Sequence, residues 1–239
     1  MVTGTSRGIG AETARTLAVR GARVVVHFSQ SGTAADAVVR AIEASGSKAY
    51  KLQADLSDAA AAQSLSAKAG ELAGPLDILV NNAGMIAGGG MHEVTAEHID
   101  AQFALNVRAP ALVARGFVEQ FKGSDGRIIN ISTFVTGSQA MAGALIYCAT
   151  KASIDTLTAG WSHELGAKGI RVNAVAPGAV ETDMYAASGK ASEDYLKSRT
   201  PLGRIGQPRD IANMIAWLCS PQAEWVTGQI FSVNGGIRI

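Results

Sequence analysis

The chain has 239 residues, of which 47% are hydrophobic and 17% charged, and its formal net charge is +1. This composition provides a sizeable core and excludes a disordered chain, and the absence of any Lys/Arg block excludes the electrostatic footprint of a nucleic-acid-binding protein. No run reaches the roughly 18 apolar residues that cross a bilayer, and Met1 leads into a glycine turn rather than a leader, so we expect no membrane association and a cytoplasmic location.

Short β-branched runs alternate along the chain with longer, alanine-rich stretches of helical period. We predict strands at residues 23–28, 49–53, 78–81, 127–132, 171–175 and 229–233. The predicted helices cover residues 9–20, 33–44, 59–72, 96–121, 145–167 and 209–219. This alternation is typical of βα units around a parallel sheet. Without a linker or repeat, we expect one domain over residues 1–239, with an insertion covering the site at about 181–206.

The cysteines and histidines show no ligand spacing. Cys148 and Cys219 lie in apolar helical patterns and are predicted to be free, buried thiols. We therefore predict no metal site and assign no role to the four histidines, His27, His92, His98 and His163.

A glycine-rich turn, Gly4-Thr5-Ser6-Arg7-Gly8-Ile9-Gly10, follows the first apolar residues and opens a helix. Glycine allows positive φ and a close backbone approach, and a helix N-terminus offers free N–H groups to a pyrophosphate. The spacing is GxxxGxG and not the GxGxxG fingerprint, so an ordinary glycine loop remains the alternative.

Three motifs occur in order: T-G-x-x-x-G-I-G at residues 3–10, N-N-A-G at 81–84 and Y-x-x-x-K at 147–151. Together they resemble the short-chain dehydrogenase/reductase family. The likeness continues through Asn106, P-G-x-x-x-T at 177–182 and V-N-G-G at 233–236, and thus covers essentially the whole chain. It is greatest to bacterial 3-oxoacyl-acyl-carrier-protein reductases and small polyol and sugar dehydrogenases.

The resemblance implies an α/β fold, a single-domain Rossmann-type, doubly wound, seven-stranded parallel sheet with helices on both faces. The cofactor would lie across the carboxyl ends of the strands. Only Met1, Val2 and Thr3 precede the glycine turn, whereas the family's first strand is several residues longer. A truncated central strand would uncover helix faces and cost stability, so we expect that the sequence is trimmed at its start.

In this family the charge of the residue after the second strand, which corresponds here to residues 23–28, indicates which dinucleotide is preferred. NAD-preferring relatives carry Asp where this chain has Phe28, Ser29 follows, and no acid appears before Asp36. A carboxylate there would repel a 2′-phosphate. Arg7 matches a position that is often basic in NADP-preferring relatives, although a solvated turn residue is the alternative. NADP(H) is therefore favoured, and NAD(H) is possible.

The resemblance also implies the remaining cofactor contacts. Asp55 would bind the adenine amino group, although the local sequence equally suits a turn, and the small residues after Asn82 would let the backbone approach the ribose. The complete predicted cofactor set is Gly4, Ser6, Arg7, Gly8, Ile9, Gly10, Phe28, Ser29, Asp55, Leu56, Asn82, Ala83, Gly84, Tyr147, Lys151, Pro177, Gly178, Val180 and Thr182.

Tyr147 and Lys151 are the candidate acid/base pair. Hydride transfer to a ketone leaves an alkoxide that must be protonated. The two residues are four apart on a predicted helix and share a face, so we expect the ammonium to lower the tyrosine pKa. By resemblance, Lys151 also holds the nicotinamide ribose. Such a pair alone is usually structural, and only the accompanying motifs favour catalysis.

The family's third catalytic residue is a serine 13 residues before the tyrosine, a count that ends here at Phe134. Alignment from the start of the strand instead places Thr133 there, with Ser132 as the alternative. Because strand side chains alternate, the two hydroxyls should not both face the substrate. Asn106 matches the family's asparagine, whose local helix distortion holds a water linked to the lysine in a proton relay, although it could simply satisfy backbone groups.

The sequence thus predicts an oxidoreductase that interconverts a ketone or aldehyde and an alcohol. The substrate is either a free small molecule or linked to an acyl carrier, in which case Lys122 and Lys168 are candidate basic contacts, weakened by Asp125. A dinucleotide-binding regulator without turnover is the alternative. An isomerase or lyase of the extended family would need a further C-terminal domain.

Assembly is inferred from the resemblance alone. Relatives of this length pair the helices around Asn106 and Tyr147, and their C-terminal strands, into homotetramers. The apolar tail at residues 233–239 is compatible with a subunit contact. We therefore expect a homotetramer.

Overall fold

The computed structural model describes residues 1–187 and 193–237, and its strands form one parallel sheet. In chain order the strands are β1 (Val24–Phe28), β2 (Ala49–Gln53), β3 (Ile78–Asn81), β4 (Gly126–Ile131), β5 (Ile170–Pro177) and β6 (Ile230–Val233). From edge to edge the order is β2, β1, the segment at residues 1–3, β3, β4, β5 and β6. Each pairing is parallel.

The segment at residues 1–3 occupies the central position of the sheet. Val2 forms parallel bridges to Val26 and to Val80. Its N–H donates to the Val25 carbonyl oxygen at 3.1 Å, and the N–H of Val80 donates to the Met1 oxygen at 2.9 Å. Among the described residues the sheet therefore has six strands, and this short bridge completes the predicted seven-strand order.

The helices are α1 (Gly8–Val19), α2 (Gly32–Ala44), α3 (Ala59–Ala73), α4 (Ala96–Phe103), α5 (Ala109–Gln120), α6 (Leu145–Leu165), α7 (Asp183–Ala187), α8 (Glu193–Arg199) and α9 (Pro208–Leu218). One apolar cluster joins the sheet to α1, α2 and α9, and includes Ile42 and Ile215. A second cluster joins the other face to α3, α5 and the end of α6, and includes Leu65 and Phe117. The fold is thus doubly wound, as predicted.

Burial on both faces explains the apolar strand sequences. All five residues of β1 are buried, as expected for a strand covered by helices on both sides. In contrast, β6 lies at the edge, and its Ile230 is 43% exposed.

Cys148 and Cys219 are free and buried, as predicted.

The predicted helix at residues 96–121 is interrupted by a π-helical turn, Ala104–Arg108, between α4 and α5. Asn106 lies within this turn and is fully buried. The apolar period continues through the turn and gives no local signal for it, whereas the resemblance at Asn106 implied a local distortion of the helix there. π-Turns often occur at functional sites.

Within the described residues, we find no helix with the length and apolar character required to cross a membrane.

Candidate functional site

The glycine turn begins α1 at the carboxyl edge of the sheet. Gly4 has φ +67° and Gly8 has φ +56°, a region that favours glycine. A Cβ on Gly10 would clash with the Gly4 carbonyl oxygen. Arg7 precedes the helix without a side-chain cap, so the first N–H groups of α1 are available to an anionic ligand.

His27 fixes this turn to the end of β1. Its Nδ1 accepts from the Gly4 N–H at 3.1 Å, so Nε2 carries the proton and donates to the Ala54 carbonyl oxygen at 3.1 Å. The Thr5 hydroxyl donates to the His27 carbonyl oxygen at 2.9 Å. Burial lowers the His27 pKa to about 4. The expectation that His27 has no role was wrong, since it has a structural one.

Acidification should therefore destabilise the protein through His27. The unfolded imidazole binds its proton near pH 6.5 and the folded one only near pH 4, so this stability is complete above pH 6.5 and is lost as the pH falls towards 4. Between pH 7 and pH 5 the expected loss is about 2 kcal/mol.

The measurement is the free energy of unfolding by urea at both pH values. His27→Asn keeps an acceptor for the Gly4 N–H but does not titrate, so its loss should be smaller by about 2 kcal/mol. His92→Asn, at an exposed residue, is the matched control and should behave like the parent. An equal loss in the parent and His27→Asn would contradict this assignment.

Asn82 ties the turn to the end of β3. Its Nδ2 donates to the carbonyl oxygens of Thr3, at 2.8 Å, and Gly4, at 3.0 Å. The Thr3 hydroxyl accepts from the N–H groups of both Asn82 and Ala83 at 2.9 Å. The Asn82 carboxamide is therefore committed to the protein itself and supports the turn.

Two adjoining cavities follow the carboxyl edge of the sheet. The turn cavity, of about 320 Å³, is lined by the predicted residues Gly4, Ser6, Arg7, Gly8, Ile9, Gly10, Phe28, Ser29, Asp55, Leu56, Asn82, Ala83, Gly84 and Thr182. The tyrosine cavity, of about 630 Å³, is lined by Thr133, Tyr147, Lys151, Pro177, Gly178 and Val180, and shares Ile9, Asn82, Gly84 and Thr182 with the first. All the predicted cofactor residues thus line one continuous groove.

The far end of the turn cavity has no acid at the end of β1. Phe28 and Ser29 line it, whereas Asp36 pairs with Lys51 at 2.5 Å. Gln30 and Ser31 also line this end. Gln30 and Ser31 carry no family motif and were not predicted, and their position directly after Ser29 is the signal in the sequence that could have indicated them.

Arg7 forms an ion pair with Asp183 at 3.2 Å, and their side chains are 66% and 71% exposed. This contact joins the glycine turn to α7 and places a guanidinium at the rim of the turn cavity. Asp55 serves the local turn as well as the cavity, since its Oδ1 accepts from the N–H of Ser57 at 2.9 Å and from its hydroxyl at 2.7 Å. Those bonds lower the Asp55 pKa.

Tyr147 and Lys151 project from α6 into the tyrosine cavity and are 8% and 6% exposed. The Lys151 Nζ lies 5.9 Å from the centre of the Tyr147 ring and donates to the Ile131 carbonyl oxygen at 2.7 Å. Burial lowers the Lys151 pKa to about 8, partly opposed by the charge of Asp155.

The expectation that the ammonium lowers the Tyr147 pKa was wrong for this structure. Burial raises that pKa to about 12, and a hydrogen bond with the Thr133 side chain acts in the opposite direction. The phenol is therefore neutral over the physiological range and is a proton donor.

Thr133 and Ser132 follow the end of β4 and have different neighbours. The Thr133 side chain is close enough to the Tyr147 hydroxyl to lower its pKa. The Ser132 hydroxyl also lines the tyrosine cavity, but it lies near the Asp155 carboxyl and has no hydrogen-bond partner among the described residues. The Ser132 N–H still donates to the Val175 carbonyl oxygen at 2.8 Å, so the strand alternation persists one step beyond β4. Of the two candidates, Thr133 is the one beside the phenol.

Asn106 holds the segment that follows Gly84. Its Oδ1 accepts from the Met85 N–H at 2.9 Å, and its Nδ2 donates to the Met85 oxygen at 2.9 Å and to the Thr150 hydroxyl at 3.1 Å. A Cβ on Gly84 would lie 3.1 Å from the Asn106 Oδ1 and 3.5 Å from the Lys151 Nζ. Asn106 thus lies behind the lysine.

The segment after β5 approaches the glycine turn closely. A Cβ on Gly178 would lie 2.8 Å from the Asn234 Cα, and one on Gly8 would lie 3.2 Å from the Thr182 methyl group. Val180 is 6% exposed and pairs with Gly206. Of the predicted insertion at 181–206, α7 and α8 are described and residues 188–192 lie outside the described residues.

The basic residues considered for a carrier-protein contact lie at the wrong edge. Lys122 precedes β4 and Lys168 precedes β5, so both are at the amino edge of the sheet, opposite the groove. Asp125, beside them, pairs with Arg127. The expectation that Lys122 and Lys168 could contact an acyl carrier beside the groove was therefore wrong.

A doubly wound sheet whose glycine turn continues into a buried tyrosine–lysine pair defines a dinucleotide-dependent oxidoreductase. A family model described as enoyl-(acyl carrier protein) reductase matches residues 4–238. The chain belongs to the short-chain dehydrogenase/reductase family.

Individual relatives are similar in sequence to this chain over nearly their whole length. An uncharacterized oxidoreductase of Methylorubrum extorquens is 43% identical over 241 residues, covering 100% of this chain and 96% of that protein. Versicolorin reductase 1 of Aspergillus parasiticus is 38% identical over 251 residues, covering 99% and 94%. A crystal structure of a blue fluorescent protein from a metagenomic library, in complex with NADPH, superposes with a TM-score of 0.94 at 38% identity, covering 100% and 96%.

Proposed function

We propose that the chain is an NADP(H)-dependent carbonyl reductase that interconverts a ketone or aldehyde and an alcohol, with Tyr147 as the general acid/base. The observation that carries this proposal is the convergence of the Tyr147 phenol, the Thr133 hydroxyl and the Lys151 ammonium on one buried cavity that adjoins the glycine turn. A proton donor, a hydrogen-bond donor and a positive charge are what a developing alkoxide needs.

In this mechanism the bound nicotinamide would supply the hydride to the carbonyl carbon. Thr133 donates a hydrogen bond to the carbonyl oxygen, and Tyr147 delivers its phenolic proton there. Lys151 would hold the nicotinamide ribose, and its ammonium places a positive charge in the buried cavity where the alkoxide develops. Asn106 keeps the segment beside Lys151 in place through its bonds to Met85.

The groove fits a dinucleotide carrying a 2′-phosphate. The turn cavity is built on glycines that bring the backbone close to a ligand, and the start of α1 would bind the pyrophosphate. The end of β1 lacks a carboxylate that would repel a phosphate, and Arg7 is close enough to pair with one. The NADPH found in the structural relative supports the same choice.

For the substrate, we propose a free, uncharged carbonyl compound and not a carrier-linked one. Lys151 is the only charged side chain among the described residues that line the tyrosine cavity. Ile86, Phe134, Val135 and Met141 form its apolar walls. An acidic carrier would need basic residues at the rim, and Lys122 and Lys168 lie at the opposite edge.

We propose that the protein assembles as a homotetramer. We also propose that residues 1–239 form a single domain. Exposed apolar side chains on α9 and the edge strand β6 support a contact there, since Trp217 is 37% and Ile230 43% exposed. Of the segment at 181–206, α7 and α8 would cover the substrate, since residues of both helices line the tyrosine cavity.

The proposed function is tested by a spectrophotometric screen of carbonyl compounds with NADPH and NADH. We expect oxidation of NADPH that depends on an apolar ketone, and slower oxidation of NADH. Consumption of neither dinucleotide with any aliphatic, aromatic or diketone substrate, together with the absence of NADPH binding, would contradict the proposal.

The cofactor assignment is tested by Arg7→Met. Loss of one charge-assisted contact to the 2′-phosphate should raise the KM for NADPH about tenfold and leave that for NADH unchanged. Asp183→Asn releases the guanidinium from its ion pair and should lower the KM for NADPH. Arg15→Met, at a partly exposed arginine of α1, is the control, and an unchanged NADPH/NADH ratio in Arg7→Met would contradict the assignment.

A further inference from the structure

Two carboxamides hold the segment that follows β3 to the end of α4 and the π-turn. The Ala87 N–H donates to the Gln102 Oε1 at 3.2 Å, and the Gln102 Nε2 donates to the Ala87 oxygen at 3.3 Å. Asn106 pairs with the N–H and carbonyl of Met85 in the same two-way manner, both at 2.9 Å. Gln102 is fully buried, so its amide is committed to this contact.

The spacing of the two pairs is complementary. Gln102 and Asn106 are four residues apart, about 6 Å along a helix, and Met85 and Ala87 are two residues apart, about 6.6 Å along an extended chain. Residues two apart in an extended chain present their peptides to the same side. Two amides on one helical face thus match two peptides on one side of the segment.

Ile86, between the two clamped residues, faces the other way. It packs against the cluster of Val135, Ala144, Tyr147 and Cys148. It also lines the tyrosine cavity. The clamps on either side therefore fix the position of a cavity wall that contacts the catalytic tyrosine.

His98 supports the second clamp. Its Nε2 lies 2.8 Å from the Gln102 Nε2, and a neutral imidazole can accept the second N–H of that amide. The Ala87 oxygen lies 3.1 Å from the same Nε2, but it receives no hydrogen bond from His98 in this tautomer because that nitrogen then carries no proton. Two residues after Ala87, the Gly89 N–H donates to the Gly143 carbonyl oxygen at 2.8 Å. This bond joins the segment to the loop before α6.

We propose that Gln102 is a positioning residue that sets the Ile86 wall of the substrate cavity and so determines how well bulky apolar ketones bind. This inference rests on the proposed reductase function. Gln102 does not line the cavity and acts through Ala87 and Ile86. Its influence should therefore depend on substrate size and should leave the dinucleotide unaffected.

The test is a double-mutant cycle with Gln102→Leu and Ile86→Ala, using 1-tetralone as the bulky ketone and butane-2,3-dione as the small one. Gln102→Leu should raise the KM for 1-tetralone about tenfold, with kcat and the KM for butane-2,3-dione changed less than about twofold. In the Ile86→Ala background, Gln102→Leu should cause no further loss. Gln120→Leu, whose amide donates to Ser66 remote from the cavity, is the matched control.

An equal loss for both ketones, or additive losses in the cycle, would overturn the inference. If Gln102→Leu does not fold, Gln102→Met provides the same removal of the amide with a flexible chain. Hydrogen exchange of the Ala87 N–H gives a readout without turnover, and it should accelerate at least tenfold in the Gln102 variant but not in Gln120→Leu. If the parent reduces no carbonyl compound and does not bind NADPH, the proposed function fails, whereas unchanged exchange at Ala87 makes the clamp itself wrong.

Discussion

Tyr147→Phe should lower kcat for carbonyl reduction about 10³-fold, within the range that general acid catalysis contributes. The variant keeps the ring that packs against Val135 and Cys148 and loses only the hydroxyl that Thr133 contacts. Because most of the predicted cofactor residues line the turn cavity and only one hydroxyl is removed, the dissociation constant for NADPH should change less than about twofold.

The measurement is the steady-state rate with an apolar ketone, accompanied by NADPH binding. Tyr50→Phe removes a phenolic hydroxyl from β2, outside both cavities, and should retain the parent rate. A Tyr147→Phe enzyme with more than about a tenth of the parent kcat would show that another group supplies the proton.

Lys151→Met should lower kcat/KM about 10²-fold and abolish the alkaline limb of the pH profile. The Lys151 pKa is about 8, so the ammonium is charged below that pH and neutral above it. In the parent, kcat/KM for reduction should fall as the pH rises through about 8. The Tyr147 pKa of about 12 places the ionisation of the phenol above this limb.

The pH profile from 6 to 10 separates these groups. Lys168→Met, at a lysine on the amino edge of the sheet, should preserve both the rate and the limb. Persistence of the limb near pH 8 in Lys151→Met would assign it to a different group and remove the ammonium from the mechanism.

The fold was predictable because its buried residues form separate apolar runs along the sequence, each corresponding to one strand or helix. Continuous apolar residues at 24–26 indicated a strand buried on both faces, and β1 is fully buried. The helix and strand positions were therefore confirmed to within a few residues. The local pattern did not indicate the π-turn, since the apolar period of α4 continues through it into α5. Only the resemblance at Asn106 implied a distortion there.

The composition of the groove was predictable to a large extent because family motifs mark the backbone positions that a dinucleotide needs. The contacts between distant residues were not. The ion pair of Arg7 and Asp183 joins residues 176 positions apart, and the pairing of Gln102 with Ala87 depends on how one segment lies on a helix. No local pattern encodes either contact.

Electrostatics was the least predictable part. Four-residue spacing suggested that Lys151 would lower the Tyr147 pKa, but burial of the phenol dominates and raises it. The same effect lowers the pKa of His27, a residue with no motif around it. Desolvation depends on the complete fold, which helical spacing cannot reveal.

The most direct measurement follows deuterium into the product from NADPH that carries deuterium at both positions of C4 of the nicotinamide. We predict that the parent places one deuterium on the carbinol carbon of the alcohol formed from 1-tetralone, and that Tyr147→Phe forms this product about 10³-fold more slowly. Oxidation of NADPH without deuterium in the alcohol, or equally fast labelling by the variant, would contradict the account.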